Sequence, residues 1–176
     1  MAFDPVTKVC LLFGGDGPDG DLDDTWLWDG SQWMEAKLPV NVPTPRSKAA
    51  MATDYERKQI VLFGGSAGGT VLDDTWTWDG STGRWSNQMA SGPNARNRHG
   101  MSENPDGNGV LLFGGFGAGR YDDTWHWNGA EWTDLAPKVK PEARDRHCMA
   151  TDTYRGEALV VGGEASMLVA DIWAWT

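Results

Sequence analysis

One pattern returns four times along this chain, and that repetition constrains the fold more than any other feature of the sequence. Leu12-Phe13-Gly14-Gly15 recurs as Leu62-Phe63-Gly64-Gly65, as Leu112-Phe113-Gly114-Gly115 and, more loosely, as Val160-Val161-Gly162-Gly163. The starting positions 12, 62, 112 and 160 give spacings of 50, 50 and 48 residues. Asp23-Asp24-Thr25-Trp26-Leu27-Trp28-Asp29-Gly30 returns at 73–80 and 122–129, and a final copy, Ala170-Asp171-Ile172-Trp173-Ala174-Trp175, ends the sequence. A further tryptophan follows the first three copies, at Trp33, Trp85 and Trp132. Upstream of the Gly pairs, the segments 46–54, 96–104 and 144–152 align through Met51, Met101 and Met149. A period of this length means a stack of identical supersecondary units around or along an axis.

Each unit holds four strand signals. Strand a surrounds the methionine, and strand b runs into Gly-Gly. Strand c carries Trp-x-Trp, whose period of two puts both rings on one face. Strand d carries the single tryptophan. Asp-Gly or Asn-Gly joins c to d, a strong hairpin signal. Four antiparallel strands per unit describe a blade of a β-propeller.

At this point the sequence resembles the kelch-repeat family, through the Gly-Gly after an apolar strand, the spaced aromatics and the period. Within that family it looks most like bacterial kelch proteins and the galactose-oxidase-like propeller. The resemblance covers nearly the whole chain. It implies an all-β protein of kelch-type β-propeller blades, about four four-stranded antiparallel blades, in a single domain over 1–176. The repeats run approximately 1–46, 47–96, 97–144 and 145–176. Met1-Ala2-Phe3-Asp4 aligns with Met51-Ala52-Thr53-Asp54, and the fourth copy stops after strand c, so the first and last blades are expected to be incomplete. Exposed repeat ends favour a homodimer in which two chains complete a larger ring.

The formal net charge of -10 argues against nucleic acid and against anionic membranes as partners. No apolar run approaches the ~20 residues that span a bilayer, and the amino-terminal residues show no signal peptide, so a cytoplasmic location is the default expectation. Cys10 and Cys148 fall at apolar or small repeat positions and are expected to be buried free thiols.

All eleven tryptophans lie in the repeat scheme, eight in Trp-x-Trp pairs and three in strand d, which points to packing between blades rather than to sugar platforms. The acidic pairs are adjacent in a strand and face opposite ways, so they cannot share one substrate atom. One Asp of each pair is expected to bond backbone or a strand-a arginine of a neighbouring blade. Asp19, Asp21 and Asp23 alternate like calcium ligands but lack the glycine and distal glutamate of a calcium loop, leaving calcium a weak alternative to a solvated acidic loop. No other metal and no cofactor is suggested.

Arg46, Arg96 and Arg144 are equivalent, as are Lys48, Arg98 and Arg146, and His99 matches His147. These groups either frame a pocket for an anionic or hydroxyl-rich ligand or pair with the repeated aspartates and hold blades together, and pairing is the preferred reading. Phe116 and Tyr121 are aromatics off the repeat pattern, in the third b–c loop. The b–c loops at 16–22, 66–72, 116–121 and 164–169 and the d–a segments at 37–45, 88–95 and 136–143 are expected to share one rim and, being variable on a repeated scaffold, to carry binding. No nucleophile elbow, phosphate loop or metal-binding His motif is present, and the copper constellation of galactose-oxidase-like proteins has no match. The expectation is a non-catalytic module binding a protein partner, with carbohydrate recognition as the alternative.

Overall fold

A computed structural model describes residues 1–37 and 41–176. It holds fifteen strands in four antiparallel sheets, with no helix among the described residues. Blade 1 comprises β1 (Ala2–Asp4), β2 (Val9–Gly17), β3 (Gly20–Trp28) and β4 (Trp33–Glu35). Blade 2 comprises β5 (Ala50–Asp54), β6 (Gln59–Ala67), β7 (Thr70–Asp79) and β8 (Arg84–Asn87). Blade 3 comprises β9 (Gly100–Glu103), β10 (Val110–Phe113), β11 (Thr124–Trp127) and β12 (Trp132–Asp134). Blade 4 has three strands, β13 (Cys148–Asp152), β14 (Glu157–Glu164) and β15 (Leu168–Trp175). In every blade the strands are adjacent in chain order, the simple meander of a propeller blade. The first strands of the four blades converge on an axial channel to which Met1, Met51, Met101 and Met149 each contribute.

Alternation within the second strand of each blade sends neighbours to opposite sheet faces. Leu11 and Phe13 of blade 1 join Ile60, Leu62, Trp76, Trp78 and Trp85 of blade 2 in one core. Val61 and Phe63, on the other face of blade 2, join Val110, Leu112, Trp127 and Trp132 of blade 3. At about 2 kcal/mol for each fully buried large apolar side chain, these inter-blade layers are the main source of stability. Each step also carries repeated hydrogen bonds. The Trp85 indole N–H donates to Thr25 Oγ1 (3.2 Å), and that of Trp132 to Thr75 Oγ1 (2.9 Å). Thr53 Oγ1 donates to the Phe3 carbonyl and Thr151 Oγ1 to that of Glu103, each at 2.6 Å.

The outer blades have one uncovered face each. Leu12 is exposed where its equivalent Leu62 is buried, and Val161 where Phe63 and Phe113 are buried. Trp33 is 44% exposed although Trp85 and Trp132 are buried. The same exposure corrects the expectation of buried thiols. Both cysteines are free, but Cys10 on blade 1 is only half-buried and Cys148 on blade 4 is exposed, because no further sheet covers those faces.

The Gly-Gly pair has a specific task. A β-bulge interrupts the register between Phe13 and Gly15, between Phe63 and Gly65, and between Val161 and Gly163. Gly64 has φ +59°, and a Cβ there would fall 2.5 Å from the Arg96 carbonyl oxygen. Beyond the bulge the strands resume pairing. The segments expected as b–c loops at 16–22, 66–72 and 164–169 are therefore mostly hairpin extensions closed by short turns. Only 116–121 in blade 3 stays irregular, held by single bridges from Phe116 to Asn97 and to Arg120.

Candidate rim site

The three equivalent arginines Arg46, Arg96 and Arg144 are at most 1% exposed. Each makes a bidentate pair: Arg46 with Asp74 (2.6 and 2.7 Å), Arg96 with Asp123 (2.6 and 2.8 Å) and Arg144 with Asp171 (2.5 and 2.9 Å). Each also donates to the first glycine carbonyl of that same blade, at Gly64, Gly114 or Gly162. Their backbones belong to the preceding blade, where Arg46 N–H bonds the Leu22 carbonyl and Gly15 N–H bonds the Arg46 carbonyl. Each arginine thus staples two blades, main chain in one and side chain in the next. The partner aspartate lies in the blade that the arginine's own strand a opens, and the blade-to-blade link runs through the arginine's main chain. These three residues are buried, fully bonded and not presented to a ligand.

Burial works to raise the Asp74 and Asp123 carboxyls, but the arginine hydrogen bonds and charge override it and hold both below the ordinary carboxylate range. Asp171 is lowered chiefly by its hydrogen bond from Arg144, with a second from Trp173.

His99 and His147 are also interior. They are 6% and 7% exposed, pack edge-on to Phe63 and Phe113, and make no hydrogen bond of ordinary geometry. Burial, then the neighbouring Arg96 or Arg144, pushes their pKa values down to about 3 and about 4, so both are neutral at pH 7. Of the nine residues singled out in the sequence for binding, five are therefore interior, while Tyr121 is half-buried and stacks on Arg96, its ring centre 4.2 Å from the guanidinium carbon.

The remaining three come together at the surface. Lys48, Arg98 and Arg146 all have positive φ (59°, 55° and 59°), and their main chains form a staircase from blade to blade. Arg98 N–H donates to the Lys48 carbonyl, and Arg146 N–H to the Arg98 carbonyl, each at 2.9 Å. This geometry turns the Arg98 and Arg146 side chains outward at the junction of blades 3 and 4. There they meet three residues that the sequence reading did not single out. Arg120 bonds Asp145 at 2.6 Å and Glu164 at 2.5 Å. Arg146 pairs with Glu164, and Arg98 lies 3.9 Å from Asp145. Phe116, 38% exposed, stands beside this cluster on the irregular loop. The signal that could have found them is departure from the repeat. Asp145 occupies the position of Ser47 and Asn97, Glu164 that of Ser66 and Phe116, and each pair is bridged in the same way.

The acidic loop does not draw its carboxylates into one cluster. Asp21 accepts from Gly68 N–H of the next blade at 2.8 Å, and its hydrogen bonds, with Ser47 first, lower its pKa. Among the described residues no three His, Cys, Asp or Glu side chains are placed to hold a metal ion, Asp19, Asp21 and Asp23 included. Within the 37–45 segment, residues 38–40 lie outside the described residues.

The chain matches a family model described as the KLHDC2/KLHL20/DRC7 Kelch-repeats domain over residues 2–175. A search of curated proteins finds no match.

Proposed function

Because the chain belongs to the kelch-repeat family, whose domains serve in general as protein-interaction modules and are typically non-enzymatic, we propose that it is a non-catalytic binding module that grips a protein partner at the rim of blades 3 and 4. The observation that supports this reading is the cluster of Arg98, Arg120, Arg146, Asp145, Glu164 and Phe116. It is charged, partly exposed and confined to one junction, whereas the repeated Arg46, Arg96 and Arg144 and the two equivalent histidines, His99 and His147, are buried. Three cations share two carboxylates, which leaves a hydrogen-bonding excess for acidic or carbonyl groups of a partner beside an apolar ring.

The test is affinity capture with the whole chain. A partner retained by the wild type should be lost with Arg98→Ala plus Phe116→Ala and kept with Tyr154→Ala, a change at a residue 96% exposed away from the rim. Equal capture by all three would overturn the rim assignment. The alternative, carbohydrate recognition, would use the same loop through Phe116, and a glycan array with the wild type and Phe116→Ala decides it.

The uncovered faces of blades 1 and 4 support self-association as part of this function. Leu12 and Trp33 on one and Val161 and Ile172 on the other are exposed apolar groups at positions that face another sheet elsewhere. Two chains meeting face to face would complete a larger ring. Light scattering should return twice the 19.2 kDa chain mass, and a single-chain mass at working concentration would exclude the dimer.

A further inference from the structure

The strands that reach the rim at one end are joined by their first turns at the other, and there a cavity opens. It encloses about 620 Å³ of free space including its mouth, a size that suits a small molecule. Three consecutive blades wall it. Tyr55 comes from the turn after β5, Glu103, Pro105 and Gly107 from the end of β9 and its turn, and Thr151 and Thr153 from the end of β13 and its turn. Tyr55, Glu103 and Thr151 also border the axial channel, so the cavity lies at its mouth.

Two of these residues depart from the repeat. Position for position, Glu103 corresponds to Phe3, Thr53 and Thr151, and Tyr55 to Pro5, Pro105 and Thr153. The threonines have a structural task at their position. Thr53 Oγ1 donates to the Phe3 carbonyl and Thr151 Oγ1 to the Glu103 carbonyl, tying each first strand to the one before it. An ionised carboxylate has no proton to donate, so Glu103 cannot make the same tie to blade 2. The hydroxyls of Ser102 and Thr151 donate to its main-chain carbonyl, and its half-buried carboxyl has no hydrogen-bond or ion-pair partner among the described residues. The arginines of the neighbouring turns are engaged elsewhere, Arg57 with Asp54 and Asn108 and Arg155 with Asp152. Burial raises the Glu103 carboxyl above the ordinary range. Burial, and then the Glu103 charge, raises the Tyr55 phenol, so the two side chains lie within electrostatic reach. A partly desolvated carboxylate without a partner is stabilised by any cation that can enter beside it. A single carboxylate next to a ring and a proline supplies too few oxygens for calcium or magnesium, and it suits a cation that carries apolar surface.

We propose that this cavity binds a small organic cation of the alkylammonium class. The ammonium group pairs with the Glu103 carboxylate, and the carbon chain lies against the Tyr55 ring and Pro105. The site is at the opposite end of the strands from Arg98 and Phe116 and does not depend on the rim reading.

The probe is n-butylammonium chloride, titrated into the whole chain and followed by the backbone amide resonances of residues 103–109 and 151–153. The shifts should saturate at one site per chain. 1-Butanol, of the same shape without the charge, should bind at least tenfold more weakly, and an equal concentration of potassium chloride should not displace the amine. Glu103→Gln keeps the side-chain shape and should weaken binding at least tenfold. Tyr55→Ala should weaken it about threefold, while Tyr55→Phe, which keeps the ring, should leave it within twofold of the wild type. Glu131→Gln, at an exposed carboxylate outside the cavity, and Phe116→Ala on the rim should leave it unchanged, which separates this site from general attraction to an acidic chain and from the rim. Equal affinity for the amine and the alcohol, unaltered binding by Glu103→Gln, or shifts that do not saturate would overturn the proposal. So would tenfold tighter binding of a lysine-containing peptide than of butylammonium, because a protein side chain would then be the occupant.

Discussion

At the scale of single residues, the molecule contains its own control experiment. Asp74, Asp123 and Asp171 each receive a buried arginine, whereas among the described residues their equivalent Asp24 accepts from the Trp26 indole, at 2.6 Å, and from no arginine. Removing an arginine strands a carboxylate, a glycine carbonyl and a cavity, so Arg96→Ala should destabilise the chain by about 3 kcal/mol in urea unfolding. Asp24→Asn, at the position without an arginine among the described residues, should cost less than about 0.5 kcal/mol. The two histidines give a pH signature. Their folded pKa values of about 3 and about 4 lie below the ordinary imidazole value of about 6.5, so between those limits the unfolded chain binds more protons. Their contribution is complete above pH 6.5 and is lost as pH falls toward 4. Thermal melts should therefore show Tm dropping from pH 7 to pH 4.5, and His147→Phe, if it folds, should flatten that slope.

At the scale of elements, the bulge after strand b governs how each blade meets the next. Gly64→Ala places a methyl against the Arg96 carbonyl in a left-handed conformation, and it should lower stability by about 2 kcal/mol or more. Gly119→Ala, in open space and without a positive φ, should be neutral in the same chemical melt. The sequence made these strands legible because its two periodicities agree. Trp-x-Trp gives the two-residue alternation and Gly-Gly gives the blade period, so strand identity, blade order and the inter-blade role of Trp78, Trp85, Trp127 and Trp132 could be read directly. The rim was less legible. Gly14 and Gly15, like Gly64 and Gly65, read as a strand end, yet the bulge lets pairing resume as far as Gly17 and Ala67, which shortened the expected loops. Arg46 and Arg98 are both basic residues just ahead of a blade's first strand, and nothing in their identity says that one is buried and the other partly exposed. The positive φ at Arg98 makes that difference, and it is a tertiary effect. Arg120, Asp145 and Glu164 meet only once blades 3 and 4 are in place.

At the scale of the whole molecule, cohesion is uneven. Blades 2 and 3 are covered on both faces, while blades 1 and 4 are covered on one. In such a repeat array stability is a sum over interfaces, so protection should rise toward the middle. Hydrogen exchange should be slowest in β6 and β10 and fastest in β15, whose outer edge has no partner strand among the described residues. Uniform exchange across all four blades would mean that the ends are covered in solution, by another chain or by each other.

The staircase of Lys48, Arg98 and Arg146 has a consequence for how such a molecule can grow. Each step offers the next one the same landing, a main-chain carbonyl that accepts from the following N–H at 2.9 Å, and the Arg146 carbonyl is the landing that a fifth unit would use. Nothing in one step measures how many came before. Copying a stretch such as 97–144 in frame therefore adds a tread without redesigning its neighbours, and gene duplication can lengthen the array while each existing junction keeps its chemistry.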